Sequence, residues 1–278
     1  MLPEFEILKN VDSILLTMHQ ASKIAMQYYL AKDVGLQIKK DETPVTKADI
    51  EISDLIDKSL RSIFNYLNQA PSFICEEKIF GLSLPLGDML FITDPIDGTR
   101  DFVKKTKEFT INIGVCYKGE PIAGFVVAPA FDTCYYGIIG HGAYMINDFS
   151  TSKLFDKKKI STSNKTKDLI LTVSSNPKEA ELITKLRNKL DISEVKVVNS
   201  SLKGCLVASG VCDIYYRSCP TNEWDTAAIH GLVLAAGGFA QSLANIPFSY
   251  GKIEHSFANP KSFYMANLKN DSKYVYSF

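Results

Sequence analysis

Within Asp94-Pro95-Ile96-Asp97-Gly98-Thr99, two carboxylates stand three positions apart, and hard oxygen donors of this kind suit Mg²⁺ better than a softer metal. Pro95 stiffens the chain between them, and the Ile96 carbonyl is free to point inward and add a neutral oxygen. Gly98 lets backbone approach a ligand closely, and the amides and hydroxyl from Thr99 onward can face a phosphate if a helical turn begins there. The stretch reads as half metal site and half phosphate cradle. Taken alone it also reads as a β-turn, since Asp, Pro and Gly form turns in any protein.

Further carboxylates sit where elements begin or end. The apolar run Met89-Leu90-Phe91-Ile92 reads as a buried strand ending in acid. Ser72-Phe73-Ile74-Cys75 repeats the arrangement and delivers Glu76-Glu77. If the two strands are parallel neighbours, Glu76 comes beside Asp94 and Asp97 at the strand ends where ligands gather in open α/β sheets. Without that pairing, Glu76-Glu77 is a solvated acidic pair. Thr46 and Asp49 resemble a helix N-terminal cap, so Asp49 is either an acid favoured by the helix dipole or a residue that orients a catalytic hydroxyl. Asp225 falls in the first turn of a helix from Trp224 to a glycine cap at Gly237-Gly238, where capping alone would also explain it.

The elements that must position these groups follow from periodicity. Apolar residues from Glu4 to Leu30 keep one face of a single helix, a loop covers 39–45, and a second helix runs from the Thr46 cap to about Leu67. Residues 109–117 and 122–127 form a hairpin around Lys118-Gly119, followed by short strands near 133–138 and 143–146. After the lysine-rich stretch 148–159, Leu169–Val173, a helix over 177–190 and a strand over 195–198 alternate as in an α/β layer. A short helix opening at Ser200-Ser201 and closing at Gly210 leads to the strand Asp213–Arg217. These elements predict an α/β and α+β sandwich of two lobes, 1–155 and 156–278, with the site between them.

The chain has 278 residues, 46% of them hydrophobic, enough to bury a substantial core. Lys plus Arg and Asp plus Glu are both 31, so the formal net charge is zero and no general electrostatic case exists for a nucleic acid polymer or an anionic membrane. No stretch of about 18 apolar residues occurs, which predicts no transmembrane segment and a cytoplasmic location. The six cysteines form no CxxC pair and the four histidines are scattered, so reduced, buried thiols are expected instead of a zinc site. There is no Walker loop and no Cys followed by Arg at phosphatase spacing, so a covalent phospho-enzyme is not indicated.

Together PVTKAD (44–49), EE (76–77), DPIDGT (94–99) and WDTAA (224–228) resemble the motif set of the inositol monophosphatase superfamily, Mg²⁺-dependent and lithium-sensitive phosphatases. DGTRDFVKKTKEFTINIG, SSLKGCLVASG and CPTNEWDTAA are similar to its bacterial CysQ branch of 3′(2′),5′-bisphosphate nucleotidases, which convert adenosine 3′,5′-bisphosphate to AMP and phosphate and so clear a by-product of sulfate assimilation. The resemblance implies a layered αβαβα sandwich of the inositol monophosphatase and fructose-1,6-bisphosphatase type. It implies two or three Mg²⁺ ions held by Glu76, Asp94, the Ile96 carbonyl, Asp97 and Asp225, with Glu76, Asp49 and Thr99 in catalytic roles, the last two orienting the attacking water. Asp97, Arg100 and Asp225 would contact the substrate, Gly98 and Thr99 would hold its scissile phosphate, and Ser200, Lys203 and Arg217 would meet the nucleotide and its second phosphate. For Lys203 and Arg217 the sequence also allows ordinary surface charge. Two positions depart from the pattern: Cys75 stands where relatives often have Ser, and Ser174-Ser175-Asn176 lacks a His that often follows the serine. Some relatives are peripheral at the inner membrane, a point the sequence leaves open, as it does the oligomeric state. The alternatives are the same chemistry on inositol monophosphate or another sugar phosphate, and a catalytically idle phosphonucleotide-binding or metal-sensing protein.

Overall fold

The computed structural model describes residues 3–39, 43–78, 85–152, 156–177, 179–244, 246 and 248–267; residues 40–42 of the expected 39–45 loop lie outside them. In chain order the elements are α1 (Pro3–Lys9), α2 (Val11–Leu30), the two-residue strands β1 (Gln37–Ile38) and β2 (Pro44–Val45), α3 (Lys47–Ile63), β3 (Ser72–Cys75), β4 (Met89–Asp97) and α4 (Thr99–Lys104). Then come β5 (Thr110–Tyr117), β6 (Glu120–Ala128), β7 (Thr133–Ile138), β8 (Gly142–Asn147), β9 (Lys157–Ile160), β10 (Leu169–Val173), α5 (Glu179–Arg187) and β11 (Ile192–Val197). The last are α6 (Leu202–Ala208), β12 (Ile214–Arg217), α7 (Glu223–Ala235), β13 (Gly238–Ser242) and β14 (Phe263–Asn267).

Seven strands in sequence order, β3 to β9, make the first sheet, with only β3 and β4 parallel. The second sheet has the order β11-β10-β12-β14-β13, parallel over its first three strands and antiparallel beyond. Three apolar clusters show how the layers stack. The first joins α1, α2 and α3 to one face of the first sheet. The second fills the space between the sheets around α6 and α7, and the third seals α5 against the outer face of the second sheet. The result is the layer order α, β, α, β, α, each sheet covered on both faces.

Strand β4 runs past Ile92, where the apolar run stops, and continues through Asp97. In a regular strand residues 94 and 97 would point to opposite faces, because side chains alternate with period two. Here Asp94 pairs with Asn112 and Asp97 with Thr110, so three residues of β4 span what two cover on β5. That bulge cancels the odd spacing and puts both carboxylates on one side. The parallel register of Cys75 with Thr93 then sets Glu76 level with Asp94.

Helix α7 must come very close to the first sheet to bring Asp225 to the same place. A Cβ on Gly124 of β6 would lie 1.8 Å from the Ala228 carbonyl oxygen, a backbone atom with no rotamer to escape into. Gly124→Ala is therefore expected to cost about 3 kcal/mol or more. Urea unfolding checks this, and an unchanged midpoint would mean that α7 does not sit as described.

One helix was expected over Glu4–Leu30, and two are found. The Asn10 side chain donates to the Glu6 carbonyl at 2.8 Å and its backbone N–H to the Ile7 carbonyl at 3.1 Å, drawing that turn out of the α-helical ladder. All six cysteines are free and buried. Among the described residues no helix is long and apolar enough to cross a membrane.

Candidate active site

Asp94, Asp97 and Asp225 each present a carboxylate oxygen within 4.8 Å of the others. Asp94 comes from mid-β4, Asp97 from its end and Asp225 from the first turn of α7. Glu76 follows β3 on the neighbouring strand, and its Oε1 lies 3.3 Å from Lys39 Nζ, which also holds Glu77 Oε1 at 2.7 Å. Asp49, buried at the start of α3, is close enough to add to the negative field at Asp94.

Each aspartate has one oxygen already tied to the protein. Asp49 Oδ2 accepts the Thr46 backbone N–H at 2.8 Å and the Thr46 hydroxyl at 2.5 Å, closing a capping box. Asp225 Oδ2 accepts the Asn222 N–H at 2.7 Å in a second capping box. Asp94 Oδ1 accepts the Ile96 N–H at 3.0 Å, and Asp97 Oδ2 accepts the Ser201 hydroxyl at 2.7 Å. For Asp49 and Asp225, then, capping and membership of the acidic cluster are two uses of one side chain. The Thr99 hydroxyl donates to the Ile96 carbonyl at 3.1 Å, and no hydrogen bond joins Thr99 to Asp49 among the described residues. Gly98 takes φ 90°, and its carbonyl accepts the N–H groups of Asp101 and Phe102 to start α4.

So many buried acids repel one another. Burial first, then neighbouring carboxylates, push Asp94, Asp225 and Glu76 well above the carboxylate range, with Lys39 opposing the rise at Glu76. Burial pushes Asp49 up to about 6 against its Thr46 bonds. All-oxygen donors under mutual repulsion are what a hard divalent cation would relieve, so the residues fit Mg²⁺. Because the folded pKa values lie above the unfolded ones, the protons favour the fold below the unfolded pKa of about 4, and that contribution is lost as pH rises through the folded values. The rise in Tm on adding Mg²⁺ is therefore expected to be small near pH 5 and to grow towards pH 8. Differential scanning fluorimetry with EDTA or Mg²⁺ checks this; an equal shift at both pH values would count against a carboxylate metal site.

Beside the acids opens a cleft of about 470 Å³. Asp97 and Asp225 line it together with the cations Arg100, Lys104, Lys203 and Arg217. Lys203 is only 4% exposed, so it is no ordinary surface cation. Its Nζ donates to the Ser200 carbonyl and lies 5.3 Å from the centre of the Tyr215 ring, and burial lowers its pKa to about 8 while Asp97 opposes the shift. Arg217 Nε donates to the Cys219 carbonyl at 3.3 Å. Ser200 lines the same cleft with φ 55°, a left-handed backbone for a residue that has a Cβ.

A model of the Inositol monophosphatase family matches residues 8–273, nearly the whole chain. The chain belongs to the inositol monophosphatase family. Its relatives include the 3′(2′),5′-bisphosphate nucleotidase CysQ of Buchnera aphidicola, 33% identical over 92% of this chain and 91% of that one. The CysQ of Escherichia coli K12 is 32% identical over 90% and 97% of the two chains. Among solved structures, CysQ from Bacteroides thetaiotaomicron superposes with a TM-score of 0.76 at 26% identity, covering 93% of this chain and 97% of that one. The Thermotoga maritima IMPase gives 0.77 at 22% identity over 97% and 96%, a likeness of fold.

In this family member the structure also brings in residues that the sequence reading passed over. Ser201, at the opening of the short helix, makes no capping hydrogen bond with its side chain, which reaches Asp97 instead. Asn112 and Thr110 point at the same carboxylate from β5, each at 3.4 Å. The signal was available: two polar side chains in a strand that is otherwise apolar and buried on both faces. Asn199, which takes the Ser175 N–H and hydroxyl on Oδ1 and donates to Asp101 at 3.3 Å, ties the two sides of the cleft and had no local signal. Of the two departures, Cys75 is buried with Sγ 3.2 Å from the Ser53 hydroxyl, whereas Asn176 lines the cleft and donates to Cys219 Sγ at 3.2 Å.

Proposed function

We propose that this protein is a metal-dependent phosphoric monoester hydrolase that removes the 3′-phosphate of adenosine 3′,5′-bisphosphate, giving AMP and phosphate. The observation that carries the reading is the lining of the cleft, which combines Asp97 and Asp225 of the acidic trio with the buried Lys203 and with Arg100 and Arg217. A substrate with two phosphates can use both, one at the reacting centre and one as a handle. The CysQ relatives, which carry that activity in their names, agree.

In this reading Glu76, Asp94, the Ile96 carbonyl, Asp97 and Asp225 hold two or three Mg²⁺ ions. When bound, Mg²⁺ neutralises phosphoryl oxygens, lowers the pKa of water and offsets charge on the departing 3′-oxygen. The protein's own groups do the positioning. Asp49 and Thr99 orient the attacking water in line with the P–O bond, Glu76 assists from the neighbouring strand, and a raised carboxylate pKa suits Asp49 to accept a proton near neutrality. The N–H groups at Gly98 and Thr99, with Arg100, hold the scissile phosphate beside Asp97 and Asp225. Ser200, Lys203 and Arg217 receive the nucleotide and its 5′-phosphate. The same reading places the protein in the cytosol; no observation supports attachment to a membrane.

Phosphate release from adenosine 3′,5′-bisphosphate, measured with EDTA and with millimolar Mg²⁺, tests the proposal. Release only with Mg²⁺ is expected. Binding of the bisphosphate without turnover in either condition would instead make the protein an idle binder.

A further inference from the structure

Three of the four site aspartates are anchored by a backbone N–H no more than three residues away: Asp49 by Thr46, Asp94 by Ile96, Asp225 by Asn222. Among the described residues Asp97 has no such anchor. Its Oδ2 is held by side chains alone, with Ser201, 104 residues further along the chain, at 2.7 Å, and Thr110 and Asn112 each at 3.4 Å. The Ser201 hydroxyl has one proton, and the shorter contact, to a charged acceptor, takes it in preference to the Asp225 carbonyl at 3.3 Å.

Asn112 fixes the direction of that bond. Its Nδ2 donates to Ser201 Oγ at 2.8 Å, so the serine oxygen is used as acceptor and its own proton is left for Asp97. The amide is completely buried, and its Oδ1 has no hydrogen-bond partner among the described residues. Turning the amide over would face Oδ1 towards a carboxylate and lose both donations, so these two hydrogen bonds set its orientation.

We infer that Ser201, held by Asn112, is a positioning residue for Asp97, tying down one oxygen of the carboxylate so that the other is presented to the metal site. The inference rests on the reading of the acidic cluster as a Mg²⁺ site. It also gives the segment before α6, from the second half of the chain, a direct hold on a carboxylate of the first sheet.

Mn²⁺ binding to the full chain, followed by the electron paramagnetic resonance signal of free Mn²⁺, reads the effect without turnover. Ser201→Ala is expected to raise the Mn²⁺ Kd about tenfold or more, the range for loss of a group that orients a ligand. Ser201→Cys, which keeps a weak donor in a similar volume, should fall between it and wild type, so a misfolded alanine variant would not remove the test. Ser209→Ala, which deletes a hydroxyl bonded only within α6, should bind Mn²⁺ as wild type does. In an Asp97→Asn background, Ser201→Ala should add less than about a twofold change, because coupled residues are not additive. An unchanged Kd in Ser201→Ala, or a full further loss in the Asp97→Asn background, overturns the inference while leaving the phosphatase reading intact. A wild-type protein that neither binds Mn²⁺ nor releases phosphate overturns both.

Discussion

Asp94→Asn is expected to lower kcat/KM for phosphate release by on the order of a thousandfold or more, while raising the Tm of the metal-free protein at neutral pH. The first effect follows from taking one charge out of the cluster at nearly constant shape. A loss of about 4 kcal/mol of transition-state stabilisation, modest for a metal centre, is already about three decades in rate. The second follows from the electrostatics of the empty cluster, where Asp94 is 1% exposed and faces Glu76, Asp97 and Asp225. An asparagine keeps the acceptor for the Ile96 N–H and removes a charge that burial disfavours. Steady-state kinetics at millimolar Mg²⁺ and a melt in EDTA are the measurements. Wild-type turnover would sink the site assignment, and a lower metal-free Tm would mean that Asp94 is structural.

The substrate handle should be nearly as consequential. Adenosine 3′,5′-bisphosphate is expected to exceed inositol 1-phosphate and AMP in kcat/KM by orders of magnitude, because binding energy from a remote phosphate can be used to position the reacting one. Lys203→Ala combined with Arg217→Ala should erase most of that preference and leave slow hydrolysis of small esters. The lysine side chain is buried against Tyr215 and bonded to the Ser200 carbonyl, so its removal is also expected to loosen the left-handed turn at Ser200. Arg217→Lys alone should weaken catalysis, since an ammonium cannot copy the two-pronged grip of a guanidinium on phosphate. Melting curves for each variant separate lost recognition from lost folding. Equal wild-type rates on the bisphosphate and on inositol 1-phosphate would move the assignment to a sugar-phosphate phosphatase.

What could be read from the sequence was whatever period and capping chemistry write locally. The strands at 72–75 and 169–173, the hairpin after Phe109 and the long helix carrying Asp225 appear close to where periodicity put them. The grouping of Asp94 and Asp97 was legible in the residues and Asp225 joined it only through the family resemblance, while the cause of the grouping was legible in neither. The apolar run stops at Ile92, and nothing local says that β4 continues through a proline to Asp97 with a bulge. Strands β13 and β14 went unassigned: Gly238–Ser242 has little β-preference of its own, and it pairs only with β14, which inserts between β12 and β13. Ser201 was invisible for the same reason, since its partner is 104 residues away and a serine before a short helix already has a local explanation.

The anchoring of the site aspartates also bears on which ion the acidic cluster can prefer. A carboxylate with one oxygen committed to an N–H or O–H offers the other one more readily, so two-oxygen grips are discouraged at Asp94, Asp97 and Asp225 alike. Calcium is satisfied by six to eight oxygens and readily takes both from one carboxylate, whereas magnesium keeps several waters and is content with one or two carboxylates plus phosphate. With a divalent ion bound there, the backbone hydrogen bonds that begin one helix and stiffen one bulge would act as a size filter, disfavouring the larger cation by withholding the second oxygen it would use.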